Sequence, residues 1–255
     1  MMPAIFVGHG NPMYAIEENE FTRNWRKFGE SLPKPKAVVV VSAHWETDGT
    51  KVTANSQLRT IHDFYGFPQP LFEVTYNAPG NPDLACEISA RVTKTTVALD
   101  ESWGLDHGTW SVLRHLFPEA DIPTIQISLD RTKDPSEHYE IAGDLRFLRD
   151  QDVLVIGSGN IVHNLGLIDF RNRSGDDWAV AANNRLKELI LSGDHESLID
   201  YRRLGREVQL AIPTSEHFLP LLYFLALRGN GEEIEAFNDV VELGSISMTS
   251  FRIGN

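Results

Sequence analysis

The sequence predicts an α/β fold with three layers, α/β/α, around a mainly parallel central sheet. Short apolar runs rich in β-branched residues (Ala4–Val7, Ala37–Val41, Thr124–Ile127 and Val153–Ile156) alternate with longer amphipathic stretches. Each run is continuously apolar, as in strands covered on both faces. No repeat, low-complexity tract or Gly/Ser-rich linker divides the 255 residues, so residues 1–255 are expected to form one domain.

In chain order, Ala4–Val7 reads as the first strand and breaks at Gly8-His9-Gly10. A helix is expected over 19–31, before the strand Ala37–Val41 that leads to His44. Residues 55–82 carry Phe64, Tyr65, Phe67, Phe72, Tyr76 and four prolines, and read as a long loop packed by its own aromatics. Helices are expected over 83–93 and 134–149, where Pro82 and Pro135 suit a first turn. The Gly- and Trp-bracketed segment 103–110 precedes another helix. After the strands Thr124–Ile127 and Val153–Ile156, helices are expected over 177–192 and, behind Pro213, over 216–228.

Composition removes several classes of function. A net charge of −13 without a Lys/Arg cluster would repel phosphate backbones and anionic lipid surfaces, so neither nucleic acid nor membrane is expected as partner. The single cysteine, Cys86, excludes an intramolecular disulfide and a thiolate metal cluster, which fits a cytoplasmic location. The first residues lack the basic region of a signal peptide, and no apolar run approaches the roughly 20 residues that span a bilayer. There is no G-x-S-x-G elbow and no phosphate-binding P-loop; Gly157-Ser158-Gly159 lacks the third glycine of a dinucleotide fingerprint, and neither Ser158 nor Ser42 sits in an elbow.

The nine histidines carry the chemical signal. His9 follows the first strand, His44 the second, and His163 the strand Val153–Ile156, so three strands deliver a histidine to one sheet edge, where α/β proteins bind ligands. His107, in Asp106-His107-Gly108, and His217, in Ser215-Glu216-His217, occupy Gly- and Pro-framed turns. Neutral imidazole serves both as a metal ligand and as a proton acceptor near neutral pH. His115, His138 and His195 fall on expected helices among charged neighbours and read as solvated. His62, in the aromatic loop, reads as a substrate contact or a partner of Asp63; Trp110 reads as a wall for a flat ring.

In these segments the chain resembles the DOPA 4,5-dioxygenases of the class III extradiol ring-cleaving family, relatives of the protocatechuate 4,5-dioxygenase catalytic subunit. The matching stretches are GHGNPM (8–13), VVVSAHW (39–45), TIHDFYGFP (60–68), WGLDHGTW (103–110), GSGNIVHNL (157–165) and SEHFLPLL (215–222). They span nearly the whole chain; Asn11 stands where the family pattern leads one to expect serine. The resemblance implies one catalytic domain with one divalent metal per chain. His9, His44 and His217 are the implied ligands, His163 a fourth ligand or the acid/base residue, and His107 a second catalytic histidine. Fe(II) is expected for dioxygenase activity, although an all-histidine set suits Zn(II) as purified. The implied substrates are O₂ and a small catechol of 3,4-dihydroxyphenyl type, opened to a semialdehyde. A zinc hydrolase using the same histidines is the alternative. The sequence specifies no oligomeric state.

Overall fold

The computed structural model describes residues 1–254. Its strands are β1 (Ala4–Gly8), β2 (Ala37–Thr47), β3 (Thr50–Thr53), β4 (Val97–Asp100), β5 (Thr124–Asp130), β6 (Val153–Gly159), β7 (Ile234–Phe237), β8 (Val241–Glu242), β9 (Ile246–Ser247) and β10 (Ser250–Ile253). Eight of them form one sheet in the order β4-β3-β5-β2-β6-β1-β10-β7, while β8 and β9 pair separately. The block β5-β2-β6-β1 is parallel, as is β3 against β4; the contacts β3–β5, β1–β10 and β10–β7 are antiparallel.

The continuous apolar runs serve two cores at once. Ala4 and Phe6, Val39 and Val41, and Val153 and Val155 face helices Pro82–Arg91, Pro135–Gly143, Asp177–Ser192 and Leu219–Ala226. The intervening Ile5 and Val7, Val38 and Val40, and Leu154 and Ile156 face helices Glu20–Ser31 and His107–Leu116 and the aromatic loop. This is the expected three-layer arrangement. Each fully buried large aliphatic side chain contributes about 1.5–3 kcal/mol of transfer free energy. Helix Leu219–Ala226 is apolar all round because it is buried along its whole length.

Local chemistry sets the helix starts. Asn19 and Thr22 form a reciprocal capping box, as do Asp134 and Glu137; Pro82 and Pro135 occupy first turns. Pro213 does not play this part, because the last long helix begins at Leu219 with Pro220 in its first turn. The helix expected over 134–149 is two, Pro135–Gly143 and Phe147–Asp150. Between them the backbone tightens, with Leu145 and Arg146 N–H groups bonding Ala142 and Gly143 carbonyls. This turns Arg149 inward to the Met2 and Leu227 carbonyls and the Glu232 carboxylate. Among the described residues no helix is long and apolar enough to cross a membrane.

Candidate metal centre

Parallel pairing of β1 and β2 with β6 brings three carboxyl ends side by side. His9 follows the last residue of β1. His44 lies inside β2, which continues to Thr47 and does not end at Val41. Its register against β5 passes from Val41↔Ile127 to Glu46↔Leu129, so Ser42–Trp45 oppose a single residue, Ser128. Such a bulge bends the strand and re-aims its side chains, and here it turns His44 towards His9, with ring centroids 5.0 Å apart.

His217 comes from a strap laid across the end of β6. Its carbonyl accepts from the Asn160 N–H at 2.9 Å. The approach is close enough that a Cβ on Gly159 would stand 2.2 Å from the His217 carbonyl oxygen, and one on Gly157 2.3 Å from that of Pro220. The Gly157-Ser158-Gly159 pattern therefore reflects backbone crossing a strand, not a nucleotide.

A polar partner stands at Nδ1 of each imidazole. Ser158 Oγ donates to the Gly108 carbonyl at 2.6 Å, so it accepts from His9 Nδ1 at 3.0 Å. His44 Nδ1 lies 3.2 Å from Asp63 Oδ2, and His217 Nδ1 donates to Glu216 Oε1 at 3.0 Å. His9 and His217 are thereby left with a lone pair on Nε2, and the Asp63 charge favours the same tautomer in His44. His9 Nε2 and His44 Nε2 face each other at 3.1 Å, and one nitrogen of each of the three rings falls within 4.8 Å of the others.

Burial, then the neighbouring imidazoles His217, His107 and His163, hold His9 well below its ordinary pKa. His44 is lowered in the same way, by burial and then by His107 and His9. Burial also lowers His217 against the opposing pull of Glu216. Two neutral lone pairs at 3.1 Å repel unless a cation lies between them, and this span suits adjacent ligands each about 2.1 Å from one ion. The residues fit a divalent ion with a preference for imidazole, Fe(II) or Zn(II) among them.

His107 occupies the first position of its helix because Asp106 caps it, accepting from Thr109 N at 3.1 Å. Asp106 also accepts from Ser42 Oγ and Gln126 Nε2, both at 2.7 Å. Burial, then the nearby Asp63 charge, raises the Asp106 carboxyl to about 6. His107 Nδ1 donates to Asp63 Oδ2 at 2.9 Å, and its ring centroid is 3.9 Å from that of His44.

His163 stacks on His217 with centroids 3.5 Å apart and planes within 8°. A ligand lone pair lies in its ring plane. The parallel His163 and His217 rings thus direct their lone pairs along separate planes, and with Glu216 they form a second group of possible ligand atoms within 4.8 Å of one another. His163 stands beside the three-nitrogen cluster and not within it.

Other histidines take structural positions. His62 Nε2 is held by the Val74 carbonyl at 2.9 Å and its ring packs among Phe64, Phe72 and Trp110. It does not pair with Asp63. Trp110 is fully buried, with Nε1 donating to the Ile61 carbonyl at 2.8 Å, so it offers no face to a bound ring. The aromatic loop instead turns the edge of Phe64 to His107, at 5.5 Å and 82°. His115 and His138 are buried and not solvated: His115 bonds the Tyr14 carbonyl, and His138 the Tyr223 hydroxyl and Asp130 carbonyl. His195 is half-buried and bonds the Tyr139 hydroxyl. Asn11 caps the turn after His9 by accepting from Met13 N at 2.9 Å, a task serine also performs. The roles of Asp63, Ser158 and Asp106 escaped the sequence reading, because a single Asp or Ser acquires its meaning only from a partner far along the chain.

The family described as the catalytic LigB subunit of aromatic ring-opening dioxygenase matches residues 3–251. A 4,5-DOPA dioxygenase extradiol of Escherichia coli K12 is 45% identical, covering 99% of this chain and 95% of its own. One from Beta vulgaris is 35% identical over 97% of this chain and 94% of its own. The crystal structure of an uncharacterized protein from Escherichia coli K12 superposes with a TM-score of 0.87 at 40% identity, covering 100% of both chains.

Proposed function

Since the chain belongs to the LigB family of extradiol aromatic ring-opening dioxygenases, we propose that His9, His44 and His217 hold its metal and that it opens a DOPA-like catechol. The observation that carries this is the convergence of His9, His44 and His217, each with a ring nitrogen within 4.8 Å of the others, while Ser158 and Glu216 bond Nδ1 of His9 and His217 and the Asp63 carboxylate lies 3.2 Å from Nδ1 of His44. A bound divalent ion would supply Lewis acidity that eases ionisation of the catechol hydroxyls and, as Fe(II), the one-electron chemistry that O₂ requires.

The protein's part is to orient and to move protons. Ser158, Asp63 and Glu216 keep the three ligand rings in one tautomer. His163, parallel to His217 and bound to no protein partner among the described side-chain hydrogen bonds, takes the proton of a catechol hydroxyl through a ring nitrogen and returns it later. His107, with Nδ1 committed to Asp63, presents Nε2 to the substrate side of the cluster. Phe64 covers the bound ring, and His62 and Trp110 hold Phe64 in place from behind. The reaction with O₂ calls for Fe(II) as the working metal, whereas the imidazole-only set suits Zn(II) as well, which makes Zn(II) a competitor during purification. The single cysteine supports a reducing, cytoplasmic setting, and the net charge of −13 argues against nucleic acid as partner.

The test is anaerobic loading with Fe(II), then admission of air with DOPA and related catechols, following oxygen uptake and the yellow ring-opened product. Stoichiometric uptake, lost in His163→Ala, is the expected result. Turnover of esters with Zn(II) and no oxygen uptake with any catechol would overturn the proposal in favour of hydrolysis.

A further inference from the structure

Asp63 is the carboxylate through which the aromatic loop reaches the histidine cluster. Its Oδ2 lies 2.9 Å from His107 Nδ1 and 3.2 Å from His44 Nδ1, while Oδ1 accepts from the His107 backbone N–H at 2.8 Å. A carboxylate only accepts, so His107 carries its proton on Nδ1, and the same negative oxygen 3.2 Å from His44 Nδ1 favours a proton there too. Turning the His44 lone pair towards Asp63 would set it against a negative oxygen.

The rest of the loop is tied elsewhere. Trp110 Nε1 bonds the Ile61 carbonyl, His62 bonds Val74, and the Tyr76 hydroxyl bonds the Phe117 carbonyl. Just after Asp63 the chain leaves the protein surface: Tyr65 is 92% exposed, and Gly66, at φ +78°, has open space around it. Between a packed base and a solvated tip, the Asp63 carboxylate is the polar anchor.

We infer that Asp63 is a positioning residue that couples seating of the aromatic loop to loading of the metal centre. This rests on the proposed ligand role of His44. A loop seated through Asp63 preselects the His44 tautomer that binds the ion. By reciprocity, an ion bound at His44 Nε2 fixes the Nδ1–H that holds the loop. Phe64, adjacent in sequence, is then brought over the substrate space only when the metal centre is in order.

Co(II), whose d–d absorption reports binding without turnover, is titrated into the metal-free wild type and Asp63→Asn, with hydrogen exchange of residues 60–68 followed in parallel. The wild type is expected to bind one Co(II) per chain, with loop exchange slowed about tenfold or more. Asp63→Asn is expected to bind about 10–100-fold more weakly and to lose the metal-dependent protection. Unchanged Co(II) affinity in a folded Asp63→Asn variant overturns the inference. So does wild-type loop exchange indifferent to Co(II), whatever the variant does. A wild type that binds no Co(II) removes the metal centre itself, an outcome distinct from binding without coupling.

Discussion

Ser158 Oγ lies 3.0 Å from His9 Nδ1 and 2.6 Å from the Gly108 carbonyl oxygen, so one hydroxyl dictates which nitrogen of His9 is free. In Ser158→Ala the imidazole loses its buried acceptor. Metal affinity, read by chelator competition, should fall about tenfold, with a stability loss of about 1–2 kcal/mol in urea melts. Unaltered affinity would mean that packing alone orients His9.

His217 and His163 share a stacking face but should fail differently. His217→Ala is expected to lose stoichiometric metal. His163→Ala should keep its metal while kcat drops by about 10²–10⁴. Metal content by elemental analysis, beside oxygen uptake, separates the two; metal loss in His163→Ala would make it a ligand after all.

Glycine positions give opposite signs. Gly159→Ala would drive a Cβ to within 2.2 Å of the His217 carbonyl, displacing the strap. A cost of about 1–3 kcal/mol and weakened metal binding are expected. Gly143, in a helix with nothing within 4 Å of its Cβ position, should gain about 0.5–1 kcal/mol on change to alanine. Thermal and urea melts of the two variants test the contrast.

Arg149, 1% exposed, is gripped at both terminal guanidinium nitrogens by Glu232 at 2.6–2.7 Å. Those bonds from Arg149, opposed by partial burial, hold the Glu232 carboxyl below its ordinary value. A depressed carboxyl contributes stability that is complete above its unfolded-state value, about 4.3, and lost as pH falls through the folded-state value. Glu232→Gln should therefore cost about 1.5–3 kcal/mol at pH 7 and give a shallower acid limb below pH ~4.5. Equal acid limbs in urea titrations at pH 7, 4 and 3 would contradict this.

The central strands, their three-layer context and the five clustered histidines were legible in the sequence because continuous apolar runs and glycine-framed turns are local signals. β4 and β7 were not, since each is four residues long with only its first residue buried. β3, equally short, lacks length more than apolar character. The bulge that aims His44 depends on the register with β5, and the second partners of Asp63 and Ser158 lie 44 and 50 residues away. Trp110 and His138 are both fully buried, which a residue type alone does not reveal: it indicates what can be buried, while the neighbouring elements decide whether it is.

The strand that leads into His9 lies between β6 and β10, so both its neighbours are synthesised long after it. During translation β1 emerges first yet has no partner until residues 153–159 appear, and its other edge stays open until 250–253. A chain interrupted anywhere before its last strand thus exposes an apolar edge, which invites aggregation. Such non-local pairing also slows folding. His217 precedes β7 and β10 in the chain, so the His9–His44–His217 cluster can come together on β1, β2 and β6 while that edge of the sheet is still open.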